Sequence, residues 1–481
     1  MGIKKHWEDI GTKIGIEIHQ ELSGSKLFCS CSADLMEKNK VLEITREIRP
    51  SGGETGEIDI ASLYEQEKKR KFVYYGYEDE YCLVDTDCEP PHQINRDALR
   101  IALEVAMLLK LQIPDELIVM RKVISNGSVI SGFQRSLLVG IGDEESFIKT
   151  PEGRVRIKDL YLEEDAAKII KKEENLVYFS LSRAGIPLLE VGTHPDIKTP
   201  EHAKELAAHI GMILRSVPGV KRGIGSIRQD INMSIKGGDR VELKGFQDLR
   251  SMPKVIENEI MRQLEIKKQD KKVEKEVRMV NPDGTTNFLR PLPGAARLYP
   301  ETDLPVIPVT KEFLKSIKKP VLLTERIEAL EQRYSLHAEI ARALIYDEHL
   351  ELFEELTKKF SMPELIAKTL VLTVKDLKNR LNLPSNRLKK KDFEEVFSYV
   401  QKGLIDKDAV AHVLADKLQG TFHLQKYEKV NEKDLEFHIK NLVKEKNNLN
   451  DSALMGIIMK EYQGKVNGKK VMEILKRIRG T

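Results

Sequence analysis

Hydrophobic and polar positions follow two different patterns along the chain, and the change occurs near residue 305. Before that point, short apolar runs such as 117–120 and 177–181 predict strands, and glycine-rich turns separate them. Two segments have helical spacing instead, at 96–111 and at 200–215, where Pro200 suits the first turn of a helix. Residues 1–305 therefore predict one large α+β domain.

After residue 308 glycines become rare and helical periodicity dominates. We expect an all-α helical domain over 306–403 and, from a boundary near Gly403, a small all-α tail domain over 404–481. The highly charged stretch 267–277 predicts an exposed linker or helix end. The predicted helices of the second half are 311–317, 322–331, 336–346, 349–358, 363–371 and 392–402.

Isolated carboxylates interrupt runs that should be purely apolar. Glu190 lies within the apolar run 186–191, and Glu17 lies two residues from His19 in another. Side chains at i and i+2 share one face of a strand, so Glu17 and His19 point the same way. A third acidic group covers 163–165, although these acids would also suit the start of a helix. Buried carboxylates need compensation, so we expect a divalent-cation site of the kind that serves phosphate chemistry.

Composition narrows the class of protein. The chain has 481 residues, enough for two or three domains, and a net charge of +3, too small for a general nucleic-acid field. Residues 460–481 nevertheless hold seven Lys or Arg against two acids, a candidate contact for a phosphate backbone or simply a solvated helix face. No apolar run approaches the roughly 20 residues of a membrane span, which predicts a cytoplasmic protein.

Four cysteines are too few for a disulfide framework in a chain of this length. They equal the number in a structural zinc site, but their spacing differs from the common pairs separated by two residues. The alternative is four free thiols. The candidate zinc ligands are Cys29, Cys31, Cys82 and Cys88.

Polar segments beside predicted strands offer candidate phosphate contacts. The glycine-rich segment 50–59 lets backbone amides approach an anion, but it is no Walker loop and could be an ordinary turn. Arg228, Asp230 and Asn232 alternate onto one strand face, as a plain surface strand would also show. The candidate phosphate-binding residues are Ser51, Gly52, Gly53, Thr55, Gln134 and Arg135.

Many strings of the chain, in order and over almost its full length, resemble the tRNA-dependent amidotransferase B/E family. They include IGIEIHQEL, KLFCSC, PSGGETGEIDIAS, SGFQRS, LEEDAA, GIPLLEV and RGIGSIRQDIN. The form RPLPGAARLYPETDLP resembles the archaeal E type rather than the bacterial B type.

The resemblance implies a cradle domain, a helical domain and a tail domain, with the last two holding tRNA. It implies that ATP and Mg²⁺ serve to phosphorylate the γ-carboxylate of glutamyl-tRNA(Gln). Ammonia from an asparaginase-like D subunit then displaces the phosphate. The expected assembly is a heterodimer, or a dimer of heterodimers. The tRNA contacts expected in the tail are Lys465, Lys469, Lys470, Lys476 and Arg477.

The resemblance also assigns the expected metal and kinase site. It falls on Glu17, His19, Glu164 and Glu190, with Glu163 and Asp230 as neighbouring candidates. From their chemistry alone, Arg228 and Arg135 are candidate stabilisers of the transferred phosphoryl group.

Two differences from the family limit which of its properties can be expected of this chain. Archaeal members carry an insertion resembling an aspartyl-tRNA synthetase domain, whereas only about two dozen residues (257–280) occupy that place here, too few for a domain. Cys88 stands where the family has an acidic residue. Two alternatives stay open: a bacterial-type B subunit that also acts on aspartyl-tRNA(Asn), and a non-catalytic tRNA-binding scaffold.

Overall fold

The computed structural model divides the chain into two compact units, Met1–Leu322 and Leu323–Thr481. The residues that the structure describes are 7, 9–50, 52, 56–223, 225–246, 248–294, 297–346, 349–428, 432–446, 449–462, 466 and 468–479.

The first unit is built on a large mixed sheet. Its strand order is β15-β14-β13-β12-β1-β11-β8-β6-β5-β16, with β7 paired to β8, and a separate small sheet has the order β2-β3-β10-β9. The strands are β1 Lys13–Glu21, β2 Lys40–Arg46, β3 Lys71–Tyr77, β4 Glu116–Leu117, β5 Val119–Val123, β6 Phe133–Ile141, β7 Phe147–Thr150, β8 Gly153–Glu164, β9 Lys168–Lys172, β10 Leu176–Ser180, β11 Pro187–Thr193, β12 Ile227–Ser234, β13 Val241–Lys244, β14 Glu276–Val280, β15 Thr286–Pro291, β16 Leu298–Pro300 and β17 Ile307–Pro308.

Strand β1 lies near the middle of the large sheet because its two faces differ in chemistry. Ile14, Ile16 and Ile18 are completely or almost completely buried on one face. Helices α2 (Arg96–Leu108) and α3 (Pro200–Arg215) pack against this side of the sheet. The intervening residues of β1 point to the opposite face, which carries the polar groups described below.

Both helices begin at the predicted residues, and their caps explain why. The side chain of Asn95 accepts hydrogen bonds from the first turn of α2. Thr199 does the same for α3, and Pro200 occupies the first turn, where its missing N–H costs nothing. Three further helices of this unit are α1 Ile60–Glu67, α4 Met252–Lys268 and α5 Lys311–Ser316.

The end of the first unit differs from the expected limit, whereas the charged stretch 267–277 contains the end of a helix, one of the two structures expected for it. Strand β17 pairs with β4, so the first unit continues beyond the predicted limit at 305. The segment 257–280 is the end of α4, a short turn and strand β14, and Val273 within the turn is buried.

The second unit is helical, so the prediction of a mixed region followed by helices is confirmed. Its helices are α6 Leu323–Tyr334, α7 Ala338–Tyr346, α8 Leu350–Lys359, α9 Pro363–Lys368, α10 Val374–Asn379, α11 Lys390–Gln401, α12 Val410–Gln419, α13 Glu432–Glu445, α14 Asp451–Glu461 and α15 Gly468–Arg479.

The structure shows where one predicted helix of the second unit is interrupted and how other helices of this unit pack. The helix predicted over 363–371 is interrupted by a π-helical turn, Thr369–Thr373, between α9 and α10. Helix α12 packs against α11. Helices α13–α15, together with Val466, share an apolar core of their own.

Candidate active site on the open face of the large sheet

The polar residues of β1 meet those of its two neighbours because of the strand register. Glu17 lies opposite Asp230 of β12, and His19 lies opposite Glu190 of β11. Side chains of directly opposite residues in paired strands point to the same face. All four groups therefore project from the same face of the sheet.

Three of these groups are close enough to share one cation. Glu17, His19 and Asp230 each offer a ligand atom, and these atoms lie within 4.8 Å of one another. His19 Nδ1 is 3.9 Å from Asp230 Oδ2, and His19 Nε2 is 3.2 Å from Glu190 Oε2. Two carboxylates and an imidazole can hold a divalent cation, and the carboxylate oxygens are ligands that suit Mg²⁺ or Mn²⁺.

Glu163 of β8 adds a fourth carboxylate, beside Glu190. It accepts hydrogen bonds from Lys122 Nζ at 2.5 Å, Ser136 Oγ at 2.6 Å and Gln134 Nε2 at 3.1 Å. The same Lys122 Nζ is 3.7 Å from Glu190 Oε2. Lys122 therefore bridges the two carboxylates, and no sequence signal had marked it as part of the site.

The carboxylates of this cluster compete for too little positive charge. Burial, followed by the charge of Glu190, raises the pKa of Glu17 to about 7, and the same two causes raise that of Glu163. Burial also opposes ionisation of Glu190, but Lys122 and His19 hold its pKa well below the usual value. One carboxylate is thus firmly ionised while its neighbours tend to retain protons, which a bound cation would displace.

Glu164 does not join this cluster, which corrects the grouping expected from the sequence. Adjacent residues of a strand point to opposite faces, and the carboxylate of Glu164 accepts a hydrogen bond from Arg135 N at 3.1 Å behind the sheet. The guanidinium of Arg135 is 2.9 Å from Glu301 and 3.5 Å from Glu164. Arg135 is therefore a buried ion-pair partner and does not line the cavities described next.

Two adjoining cavities open on the polar face, with volumes of about 690 and 520 Å³. Both are lined by Glu17, Lys122, Glu163 and Glu190, so the cluster lies where they meet. The sequence had not marked the basic residues of this cleft apart from Arg228. These unmarked residues are Lys13, Lys122, Lys158, Arg240, Lys244, Arg290 and Arg297.

Arg228 lies in the smaller cavity and is already paired. Its two terminal nitrogens donate to Asp165 at 2.9 and 3.2 Å. Gln134 lines the same cavity. The alternation of Arg228, Asp230 and Asn232 on one face is confirmed, since Asn232 Nδ2 donates to Glu17 at 3.0 Å.

The glycine-rich segment 50–59 reaches the cleft by one contact. Asp59 Oδ2 accepts a hydrogen bond from Gly294 N at 2.6 Å, while Oδ1 accepts one from Ala61 N at the start of α1. Among the residues that the structure describes, Gly52 lines neither cavity. The other predicted phosphate contacts, Ser51, Gly53 and Thr55, lie outside the described residues.

Three of the four cysteines converge, and the fourth position belongs to a carboxylate. Ligand atoms of Cys29, Cys31, Cys82 and Asp85 lie within 4.8 Å of one another. Cys88 is exposed, and its Sγ contacts the carbonyl oxygen of a residue two positions before it. The expected four-cysteine set is therefore wrong in one member, because the turn after Cys82 directs residue 85, not 88, towards the thiols.

The four groups of the cysteine cluster share protons unequally. Hydrogen bonds to Cys31 and Cys82, in which Cys29 is the donor, raise the pKa of Cys29, whereas the contacts with Cys29 and Cys31 lower that of Cys82. Burial raises the pKa of Asp85 to about 6. Three sulfur donors and one carboxylate oxygen are a donor set that suits zinc.

The basic residues predicted at the chain end lie on α15. Its apolar side is buried in the core of α13–α15, and the basic side chains are exposed. Arg477 pairs with Glu436 of α13 at 2.7 Å, and Lys465 lies outside the described residues. The described members of the predicted set are Lys469, Lys470, Lys476 and Arg477.

The fold and the site together define an α+β protein with a carboxylate-rich cleft on one face of its large sheet and a separate helical unit. Residues 12–315 match the model of the GatB/GatE catalytic domain, and residues 351–478 match that of the GatB domain. The chain therefore belongs to the GatB/GatE family, which confirms the expected family and identifies the first unit as an enzyme's catalytic domain.

Curated archaeal relatives match the chain along nearly its whole length. Proteins named as the E subunit of glutamyl-tRNA(Gln) amidotransferase from Methanocaldococcus jannaschii, Archaeoglobus fulgidus and Saccharolobus solfataricus are 35%, 33% and 32% identical to it. Each match covers 98% of this chain and at least 98% of the relative. The first extends over 627 positions, more than the 481 residues here, so that relative has residues without a counterpart in this chain.

Within the described part of the chain, every helix is too short or too polar to cross a lipid bilayer.

Proposed function

We propose that this chain is the substrate-activating subunit of an ATP- and Mg²⁺-dependent glutamyl-tRNA(Gln) amidotransferase. The observation that carries the proposal is the cluster of Glu17, His19, Glu163, Glu190 and Asp230 in the cleft of a GatB/GatE catalytic domain. A scaffold that only presents tRNA has no use for buried carboxylates that raise each other's pKa. The names of the archaeal relatives favour the E type over the bacterial B type.

The proposed reaction has two steps. An oxygen of the glutamyl γ-carboxylate attacks the γ-phosphorus of ATP, and ADP leaves. The nitrogen of ammonia then attacks the carbonyl carbon of the acyl phosphate, loses a proton, and phosphate leaves. The second step needs no covalent intermediate on the enzyme, because the acyl phosphate is already activated.

Different residues of the cleft would bind the cation, position its ligands and neutralise charge. Glu17, His19 and Asp230 would hold Mg²⁺, which when bound neutralises phosphate charge and orients the phosphate chain. Glu190 holds His19 in place through its contact at 3.2 Å, and Lys122 neutralises Glu190 and Glu163.

The remaining expectations extend this proposal to the rest of the chain. The first unit would be the cradle domain, and the helical unit with its α13–α15 tail would bind tRNA. The exposed Lys469, Lys470, Lys476 and Arg477 would contact its phosphate backbone. The ammonia would come from an asparaginase-like D subunit, in a cytoplasmic heterodimer or a dimer of such heterodimers.

A structural zinc ion is a further part of the proposal. Cys29, Cys31, Cys82 and Asp85 would hold it. The fully buried Lys26 donates to Asp85 Oδ2 at 3.0 Å, which orients that carboxylate and offsets part of the negative charge of three thiolates.

The decisive experiment is conversion of glutamyl-tRNA(Gln) by the purified chain, with ammonium chloride as nitrogen donor so that no partner is needed. We expect glutaminyl-tRNA(Gln) to form only when ATP and Mg²⁺ are present, with one ADP released for each amide. Formation without ATP would contradict the proposal, as would no formation at all. Aspartyl-tRNA(Asn) in parallel tests for the B type, and a pull-down with the candidate D subunit tests the partner.

A further inference from the structure

Three arginines on the wall of the cleft lack a protein partner. Within the part of the chain that the structure describes, the guanidinium groups of Arg240, Arg290 and Arg297 form neither hydrogen bond nor ion pair. Lys122, Lys244 and Arg228, the cations beside them, each pair with a carboxylate. Arginine presents a rigid fork of donors suited to phosphate, so three unsatisfied forks in one cleft point to an anion.

Burial lowers the pKa of Arg290, the charge of Glu242 opposes this shift, and the charge of Arg297 adds to it. Arg297 also acts against the charge of Lys122. Like charges crowded in a half-buried wall are unfavourable unless a ligand of opposite sign lies between them.

The cleft also contains a cluster of the opposite charge. The carboxylates Glu17, Glu163 and Glu190 line both cavities, yet none of them forms an ion pair with the three arginines in the described structure. A ligand that fits this arrangement carries an anionic chain towards the arginines and a cation towards the carboxylates. A polyphosphate with a bound divalent ion has that charge distribution.

The arginines are held in place by the elements that carry them. Arg240 precedes β13, Arg290 lies near the end of β15, and Arg297 directly precedes β16. Val123 N donates to Arg297 O at 2.9 Å, and Asp59 accepts from Gly294 N at 2.6 Å in the connection between the last two. The wall is therefore anchored on three strands and on the segment before α1.

We propose that Arg240, Arg290 and Arg297 form a clamp for the phosphate chain of a nucleoside triphosphate. This inference rests on the proposed function and adds to it the residues that hold the phosphates. Phosphates could also come from the 3′ end of the tRNA. The half-buried position of Arg290 and Arg297, in the same cleft as the carboxylate cluster, favours the nucleotide.

The test is titration calorimetry of the full-length chain in Mg²⁺ with three probes: ATP, inorganic tripolyphosphate and deacylated tRNA(Gln). We expect Arg290→Gln and Arg297→Gln to weaken ATP and tripolyphosphate binding by roughly 10- to 100-fold each, the loss typical of a charge-assisted hydrogen bond. Their affinity for tRNA should stay within about twofold of the wild type. Arg290→Lys, which keeps the charge but not the fork, should have an intermediate affinity. The control is Arg250→Gln, an exposed arginine outside both cavities, and it should bind all three probes normally.

The outcomes separate the clamp from the proposed function. Unchanged ATP and tripolyphosphate affinity in both variants would overturn the clamp, as would a loss confined to tRNA. If the variants lost ATP and tripolyphosphate binding, but the wild type formed no glutaminyl-tRNA(Gln) with ATP, Mg²⁺ and ammonium chloride, the clamp would hold and the proposed function would fail.

Thermal unfolding without ligand gives an independent readout. Arg290→Gln should melt at or above the wild-type temperature, because it removes a partly buried charge that forms no ion pair within the described residues. A clearly lower melting temperature would mark Arg290 as a structural residue and refute the clamp.

Discussion

Replacement of Arg228 by methionine should destabilise the protein, because Arg228 neutralises a buried carboxylate. Asp165 is 3% exposed and accepts two hydrogen bonds from Arg228. Removing one partner of a buried ion pair costs roughly 3–5 kcal/mol. Two features reduce this cost: Arg228 is 37% exposed and therefore partly screened by solvent, and Arg183 Nε remains 3.7 Å from Asp165. We expect a loss of about 2–3 kcal/mol at neutral pH.

The loss should depend on pH with a definite sign. Burial raises the pKa of Asp165, but Arg228 and Arg183 outweigh burial and hold that pKa below its usual value. A carboxyl group with a depressed pKa stabilises the fold above its unfolded-state pKa and loses that contribution as the pH falls through its folded-state pKa. Arg228→Met removes this contribution. The difference from the wild type should be full at pH 7.5 and should shrink below about pH 4.

Urea unfolding at pH 7.5 and pH 3.5 measures both effects, and the double variant Arg228→Met/Asp165→Asn is the control. Replacing both partners should restore most of the stability, since no buried charge is left unpaired. A loss below about 1 kcal/mol at pH 7.5, or an equal loss at both pH values, would refute the reasoning. If the double variant also regained ATP-dependent activity, Arg228 would have no contact with the transferred phosphoryl group.

Three further predictions concern the cation site, the cysteine cluster and the tail. Glu190→Gln should slow ATP-dependent phosphorylation of glutamyl-tRNA(Gln) by about 100-fold or more while tRNA affinity changes little; phosphate transfer at the wild-type rate would remove Glu190 from the site. Cys82→Ser should lose one equivalent of zinc by atomic absorption and melt at a lower temperature, whereas Cys88→Ser should keep both properties; equal zinc contents would contradict the assignment of Asp85. Deletion of 429–481, which removes the separate core of α13–α15, should weaken tRNA binding by more than about tenfold at matched salt and leave ATP affinity intact; unchanged tRNA affinity would exclude the tail from tRNA binding.

The sequence predicted the centre of the site because that part depends on a local rule. Glu17 and His19 are two residues apart in one strand, and Glu190 interrupts an apolar run. Because side chains of a strand alternate between its two faces, this spacing was enough to predict polar groups on one face. Glu163 and Glu164 show the limit of this rule. A pair of adjacent acids places one carboxylate on each face, and only the register of β8 with β6 and β11 decides which of them meets Glu190.

The basic wall of the cleft could not be predicted in this way. Arg240, Arg290 and Arg297 come from three separate segments near the end of the first unit, and no periodicity relates them to β1. Arg290 and Arg297 are the first and last residues of the string RPLPGAAR, which indicated the family but no role for either arginine. Asp85 was missed for a similar reason, since cysteine spacing does not reveal a carboxylate as the fourth group.

The cleft contains carboxylates that would bind a cation and arginines that would bind a phosphate chain. Binding of one ligand should therefore affect binding of the other. Without a cation, the phosphate chain held by Arg290 and Arg297 would face the ionised Glu190 and the half-ionised Glu17. Without the phosphate chain, a cation held by Glu17 and Asp230 would face unpaired guanidinium groups. Each ligand neutralises the charge that opposes the other, so each should raise the affinity for the other by the same factor. Under the proposed function, a cleft completed only when both are present would favour formation of the acyl phosphate from the metal–nucleotide complex rather than from free ATP.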